Sequence, residues 1–321
     1  MTDHGGAPRG LPVVWSPRYE VDIGAHVFPT VKYRLVRDRL LEEGTIPPDD
    51  VVEPVPASLA EVALTHTDEY LDKIVRGAFS ASEVMRLELP FSPALREASL
   101  LCSGGTTLTG ELALKRGVAV HLGGGFHHAF AGHGEGFCLL NDVAVAARVL
   151  QERSRVGRVA VVDLDVHHGN GTAAIFADDP SVFTFSMHQE WNYPAVKPPG
   201  DLDVGLEDGT GDEAYLSLLR EHLAGILEGH RPELVLYLAG ADPYGEDQLG
   251  GLALTLEGLR ERDRTVFEMC AGAGAATAVT LAGGYARDTD DTVEIHANTV
   301  REARRWVPFR RPGGGDPPAR F

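Results

Sequence analysis

The chain has 321 residues, of which 43% are hydrophobic and 24% are charged, a composition typical of a globular enzyme. Its formal net charge of −18 leaves no basic excess and argues against nucleic acid as the main partner, although an acidic surface is compatible with cationic substrates. No apolar run reaches the ~20 residues of a membrane span, and the three cysteines are too few for a disulfide framework. The first residues lack the features of a signal peptide, so we expect a cytoplasmic protein.

Alternation of helices and strands dominates the chain between two polar, Gly- and Pro-rich ends. We expect disordered tails at 1–11 and 308–321 around one catalytic domain at 12–307. Helical patterns cover 30–44, 92–116, 140–151, 212–228, 256–271 and 288–305. Apolar strand patterns cover 118–122, 159–164, 182–187, 234–239 and 278–282. The alternation predicts an α/β fold: a single-domain, open, mainly parallel sheet with helices on both faces, whose ligands bind beyond the carboxyl ends of the strands.

The run Asp-Leu-Asp-Val-His-His-Gly-Asn-Gly at 163–171 follows one of these strands. Side chains two residues apart on a strand share a face, so Asp163, Asp165 and His167 are predicted to point the same way. A carboxylate and an imidazole at this spacing can both reach one cation. The alternative interpretation is a helix N-cap, with Asp165 or Asn170 as the capping residue and the histidines incidental.

Polar residues follow three other predicted strands. The segment 123–128, Gly-Gly-Gly-Phe-His-His, allows a sharp turn and carries adjacent histidines suited to proton transfer near neutral pH. A phosphate-binding loop is disfavoured because no Gly-Lys-Ser/Thr follows; two ordinary surface histidines remain an alternative. Asp242 could supply a third ligand or simply cap its strand. Tyr285, after two glycines, could aim its hydroxyl at an oxyanion or could be an ordinary loop tyrosine.

Two carboxylates and one imidazole form a ligand set that leaves a coordination position open for water. That composition is typical of catalytic zinc, whereas structural zinc takes four protein ligands and usually thiolates. The cysteines of this chain have no such spacing. The residues therefore predict a catalytic metal site.

In their order along the chain, these segments resemble those of the zinc-dependent histone deacetylase superfamily, which has the arginase/deacetylase fold. The resemblance extends over roughly residues 12–305. That superfamily also contains acetylpolyamine amidohydrolases and acetoin-utilisation proteins. The opening Trp-Ser-Pro-Arg-Tyr at 15–19, the asparagine at position 170, the Ala-Gly-Gly-Tyr at 282–285 and the compact length resemble its class IV branch and bacterial relatives.

The resemblance implies roles for the matching positions. One Zn²⁺, or Fe²⁺ in its place, would be bound by Asp165, His167 and Asp242. The implied catalytic residues are His127 and His128 as an acid/base pair, Tyr285 polarising the carbonyl, Asp163 orienting His127, and Asn170 behind His128. A structural K⁺ would be held by Asp163, Asp165, His167, Ser186 and Met187. The substrate channel would be lined by Gly136, Phe137, Tyr193 and Leu249, with the Gly136 carbonyl facing the substrate amide.

The implied activity is removal of acetyl or longer fatty acyl groups from lysine side chains of a protein or peptide. The main alternative is hydrolysis of an acetylpolyamine or another small N-acyl amine. A binuclear manganese ureohydrolase is disfavoured because the segment 241–244 supplies a single aspartate. A non-catalytic sensor of metal or acyl ligand is a remote alternative, since every catalytic position is filled.

Overall fold

A computed structural model describes residues 10–307 of the chain. The predicted tails therefore lie almost wholly outside the described residues. Leu11, assigned to the first tail, is buried in the core. Within residues 10–307, no helix combines the length and apolarity needed to cross a membrane.

Parallel strands form one eight-stranded sheet within the described range. In chain order they are β1 Val13–Val14, β2 Val51–Val52, β3 Val118–His121, β4 Val159–Asp163, β5 Val182–Gln189, β6 Leu202–Leu206, β7 Leu234–Leu238 and β8 Ala276–Thr280. Their order across the sheet is β2-β1-β3-β8-β7-β4-β5-β6, and every neighbouring pair is parallel. The predicted α/β fold with a parallel sheet is confirmed.

Helices cover both faces of the sheet. They are α1 Lys32–Glu42, α2 Leu59–Val62, α3 Asp68–Arg76, α4 Ala81–Leu87, α5 Pro93–Arg116, α6 Asp142–Glu152, α7 Asn170–Phe176, α8 Asp212–Gly229, α9 Leu256–Ala273 and α10 Thr289–Arg304. Val159 and Val161 belong to the apolar core shared with α5 and α6, whereas Ala160 and Val162 belong to the core shared with α8 to α10. Because alternate strand residues face opposite sides, the two cores lie on opposite faces. This explains why β4 and β7 are apolar and buried at nearly every position.

The end of β4 differs from the prediction. The strand stops at Asp163, so Asp165 and His167 lie on the loop that leads to α7 rather than on the strand. Their side chains are nevertheless neighbours, with His167 Nδ1 3.0 Å from Asp165 Oδ1. The turn of the loop, rather than strand alternation, brings the two side chains together.

Candidate active site

A cavity of about 180 Å³ opens beyond the carboxyl ends of β3, β4, β7 and β8. Parallel strands place their following loops at one edge of the sheet, which is where such folds bind ligands. Aromatic and aliphatic side chains form its wall: Phe28, Phe126, Phe137, Tyr193, Leu249 and Tyr285. Titratable side chains also line it, among them Glu88, His127, His128, Asp165 and His167.

The three predicted metal ligands meet beside this cavity. One ligand atom from each of Asp165, His167 and Asp242 lies within 4.8 Å of the others. The backbone N–H of Gly283 donates to Asp165 Oδ2 at 2.8 Å, and the N–H of Val166 donates to Asp242 Oδ1 at 2.9 Å. These bonds hold the outer carboxylate oxygens and leave Asp165 Oδ1 and Asp242 Oδ2 facing His167 Nδ1, at 3.0 and 3.4 Å.

This donor set fits a divalent metal ion. Asp242 Oδ2 is fully buried and has no hydrogen-bond partner, which is costly for a carboxylate oxygen unless a cation neutralises it. Burial and the neighbouring Asp165 raise the pKa of Asp242 to about 7. Gly283 has to be glycine here, because a Cβ at this position would lie 2.0 Å from Asp242 Oδ2. Two oxygens and one imidazole nitrogen match the ligands of a catalytic zinc site.

His127 is paired with a buried carboxylate. Its Nδ1 donates to Asp163 Oδ2 at 2.6 Å. Burial alone would lower the pKa of His127, but the carboxylates of Asp163 and Asp165 outweigh it and raise that pKa to about 9. The imidazole is therefore positively charged at neutral pH in this environment.

His128 has the opposite electrostatic environment. Its Nδ1 lies 2.7 Å from Asn170 Oδ1, and its Nε2 lies 3.1 Å from His127 Nε2. Burial, together with the positive charge of His127, lowers the pKa of His128 well below its usual range. Two adjacent histidines thus differ in charge, since one contacts a carboxylate and the other contacts an amide.

Tyr285 also lines the cavity. Its backbone N–H donates to Asp247 Oδ2 at 2.7 Å, and its ring packs edge-on against Phe28, Phe137 and His167. Burial and the nearby Asp165 raise the pKa of the phenol well above its ordinary value. The hydroxyl stays protonated and is able to donate a hydrogen bond to substrate.

The residues proposed for the channel and for a monovalent cation are also brought together. Gly136, Phe137, Tyr193 and Leu249 all line the cavity. On neighbouring strands, Asp163 pairs with Ser186 at the ends of β4 and β5, and Met187 follows directly. The assignments of substrate and K⁺ to these groups stay predictions.

Two supporting residues were not identified from the sequence. Asp142, at the start of α6, accepts hydrogen bonds from the backbone N–H groups of Gly125 and Phe126, at 3.0 and 2.7 Å, and thereby holds the loop that leads to His127. Lys32 of α1 is fully buried and donates to the carbonyl of Ala282, three residues before Tyr285, at 2.8 Å. For Asp142, the sequence offered one indication, an acidic residue in the first turn of a predicted helix. Exposed acidic side chains also favour that position, so the pattern did not identify a buried supporting role.

A second group of possible metal ligands lies outside the cavity lining. It consists of His168, His188 and Asp203. His168 Nε2 already donates to Asp203 Oδ1 at 3.1 Å, and His188 Nδ1 is 3.0 Å from Ser186 Oγ. These hydrogen bonds give the group a structural explanation without an ion.

Comparison with known proteins gives a consistent result. The histone deacetylase domain family matches residues 26–300. An uncharacterised protein of Picosynechococcus sp. is 45% identical over 296 residues, covering 92% of this chain and 99% of that protein. Histone deacetylase 2 of Arabidopsis thaliana is 31% identical and covers 88% of this chain and 77% of its own length, and the acetoin utilization protein AcuC of Bacillus subtilis is 29% identical, with 85% and 76% covered.

The fold agrees with these sequence matches. A crystal structure of an HDAC homolog complexed with SAHA superimposes with a TM-score of 0.78, at 24% identity, over 92% of this chain and 84% of that chain. The match of the domain family to most of the chain establishes the relationship. The chain therefore belongs to the histone deacetylase family and is a hydrolase of amide bonds.

Proposed function

We propose that this protein is a zinc-dependent deacylase that hydrolyses the amide bond of acylated lysine side chains. The observation that carries the proposal is the buried Asp242 Oδ2, which accepts no hydrogen bond and lies 3.4 Å from His167 Nδ1. It is beside a cavity that also contains two histidines and a tyrosine. Zn²⁺ bound by these three residues would polarise the substrate carbonyl and activate a water molecule for attack.

The remaining steps are assigned to side chains of the chain itself. His128, neutral because of its low pKa, accepts the proton of the attacking water at Nε2 and later passes a proton to the leaving amine. His127 stays charged beside Asp163 and stabilises developing negative charge without transferring a proton. Tyr285 donates its hydroxyl proton in a hydrogen bond to the oxyanion.

The cavity wall suits the acyl-lysine substrate class. Phe28, Phe137 and Leu249 offer apolar contacts for the aliphatic part of an acylated lysine. An acylated lysine has lost its charge, so an apolar passage can bind its side chain without burying an unpaired cation.

An acetylated polyamine is the second candidate substrate. Glu88 lines the cavity, and its backbone adopts the left-handed region with φ of +58°. A carboxylate at this place could pair with a second ammonium group of a polyamine, and the net charge of −18 would favour its approach.

A substrate comparison tests the proposal. The zinc-loaded protein is assayed with an acetyl-lysine peptide, with longer acyl-lysine peptides and with acetylated polyamines, and release of the free amine is measured. We expect hydrolysis of the acyl-lysine peptides with the higher kcat/KM. A higher kcat/KM for a polyamine would favour the second candidate substrate. Absence of hydrolysis for all of these amides would refute both candidate functions.

A further inference from the structure

The carboxylate of Glu135 belongs to a chain of hydrogen bonds that reaches His128, and its other oxygen, Oε2, lies 3.4 Å from His133 Nε2. Asn170 Nδ2 donates to Glu135 Oε1 at 2.7 Å, and Asn170 Oδ1 lies 2.7 Å from His128 Nδ1. Asn170 and His128 are buried, whereas 19% of the Glu135 side chain is exposed. Glu135 is thus linked through one amide to a histidine of the active site.

The chemistry of the three groups fixes the direction of this chain. An ionised carboxylate only accepts hydrogen bonds, so the NH₂ of Asn170 must face Glu135. The amide oxygen of Asn170 then faces His128, and because that oxygen also only accepts, His128 Nδ1 must carry the proton. A neutral imidazole protonated at Nδ1 has its lone pair on Nε2, the atom that accepts a proton in the proposed reaction.

The opposite end of the chain is compatible with this assignment. Asp163 only accepts, so His127 Nδ1 carries a proton. A single proton then lies between the two Nε2 atoms, which are 3.1 Å apart. It belongs to His127 because His128 Nε2 is the unprotonated atom, and this bond has to open before His128 Nε2 accepts a proton from water. One arrangement of protons therefore satisfies every bond from Glu135 to Asp163.

Backbone geometry holds Glu135 in place. The N–H of Cys138 donates to the carbonyl of Glu135 at 2.9 Å and closes a tight turn. Both central residues of this turn, Gly136 and Phe137, have positive φ, at +50° and +67°. Glycine is required at the first of them, because a Cβ there would lie 2.8 Å from His128 Cδ2. The turn that forms the channel wall therefore also places the Glu135 carboxylate.

We propose that Glu135 is a positioning residue that selects, through Asn170, the tautomer of His128 able to accept a proton at Nε2. Asn170 alone could present either its oxygen or its NH₂ to the ring, and Glu135 removes the second choice. The inference rests on the proposed deacylase function for its catalytic consequence, whereas the tautomer itself is a property of the protein without substrate.

The first test measures the tautomer directly. Histidine-labelled, metal-free protein is studied by ¹⁵N NMR, with the His128 signals identified by their loss in His128→Gln. We expect the Nδ1-protonated form in the wild type and a mixture of both tautomers in Glu135→Gln, since a glutamine amide can present either end to Asn170. Glu190→Gln is the matched control: it removes a carboxylate that interacts with Lys197, and it should leave the His128 signals unchanged.

The second test measures catalysis. Glu135→Gln should lower kcat for an acyl-lysine peptide about tenfold with KM nearly unchanged, because the wrong tautomer blocks proton transfer in the transition state. Glu190→Gln should stay within about twofold of the wild type. The double variant Glu135→Gln with Asn170→Asp places a carboxylate directly at Nδ1. It should recover most of kcat and move the acid limb of the pH profile to higher pH.

An unchanged His128 tautomer in Glu135→Gln would overturn the inference, as would a kcat within twofold of the wild type. A wild-type protein without deacylase activity would reject the proposed function. The NMR comparison would still decide whether Glu135 selects the tautomer.

Discussion

Buried charge at single residues determines the chemistry of the cavity. Asp165 and Asp242 are buried carboxylates, and His167 lies between them. Two buried anions around one imidazole are stable only if a positive charge is shared among them. In the proposed site, a divalent cation bound by the three residues would supply that charge.

Removal of Asp242 tests the metal assignment. Asp242→Ala should lose most of the bound metal and most of the activity together, because the site keeps only two of its three protein ligands. The measurement is elemental analysis of the purified variant alongside the amide-hydrolysis assay. Full metal occupancy in Asp242→Ala would place the metal elsewhere.

The hydroxyl of Tyr285 gives a second residue-level prediction. Tyr285→Phe keeps the packing of the ring against Phe28 and Phe137 but removes the donor to the oxyanion. We expect kcat to fall by about 10²-fold or more while KM changes little, since the bond forms mainly in the transition state. Steady-state kinetics at full metal loading measure both values. An unchanged kcat would make Tyr285 a structural residue.

At the scale of elements, helix α9 holds in place the loops that carry the proposed metal ligands. Arg262 is fully buried and donates to the carbonyl of Gly240 at 2.6 Å and to that of Leu164 at 3.4 Å, while it pairs with Asp263. Leu164 directly precedes Asp165 in the chain, and Gly240 lies two residues before Asp242. A helix on one face of the sheet thereby ties together the two loops that carry Asp165 and Asp242 at the edge of the sheet.

A cluster between α9 and α10 predicts a pH dependence of stability. The carboxylate of Glu302 bonds to Arg260 at 2.7 Å, to Arg305 at 2.8 Å and to Arg264 at 3.4 Å. Burial alone would raise the pKa of Glu302, but the three arginines outweigh it and lower that pKa to about 2. Because the pKa is lower in the folded state, the stabilisation is present above the unfolded value of 4.5 and is lost as the pH falls toward 2.

Glu302→Gln should therefore reduce the free energy of unfolding by about 2 kcal/mol near neutral pH. The difference from the wild type should be constant between about pH 6 and 8 and should shrink below about pH 4.5. Urea unfolding followed by circular dichroism at several pH values measures it. A difference that grows toward acid pH would show that the charge of Glu302 is not the stabilising group.

The sequence predicted the long elements well but not the short ones. Strands such as β4 and β7 are recognisable because burial on both faces makes them continuously apolar. The two-residue strands β1 and β2 and the four-residue α2 are too short for any periodicity to appear. β6 was also missed, since its exposed residues at an edge of the sheet interrupt the apolar pattern.

The same contrast holds for the site. Residues that follow apolar strands, such as Asp165 and Asp242, could be placed at one edge of the sheet from the order of elements alone. Glu135 and Asp142 could not, because their roles depend on contacts with residues 35 and 16 or more positions away that no local pattern encodes. Long-range hydrogen bonds become visible only once the chain is folded.

At the scale of the whole molecule, we expect the cavity to select substrates by the length of their acyl group. We predict that kcat/KM for octanoyl- or myristoyl-lysine peptides exceeds that for acetyl-lysine, because each buried methylene adds up to ~0.8 kcal/mol of binding against apolar walls such as Phe137. Competition assays with peptides that differ only in acyl length measure the ratio. Preference for acetyl by about tenfold, or 1.4 kcal/mol in the barrier, would reject a long acyl channel but not the hydrolase function.

Metal dependence is the central claim, and one titration tests it most directly. The protein is stripped with a chelator, assayed on an acyl-lysine peptide, and assayed again as Zn²⁺ is added in known amounts. We predict that activity disappears on stripping and returns in proportion to added metal up to one equivalent per chain. A stripped protein, verified to be metal-free, that hydrolyses the amide at the original rate would contradict the account.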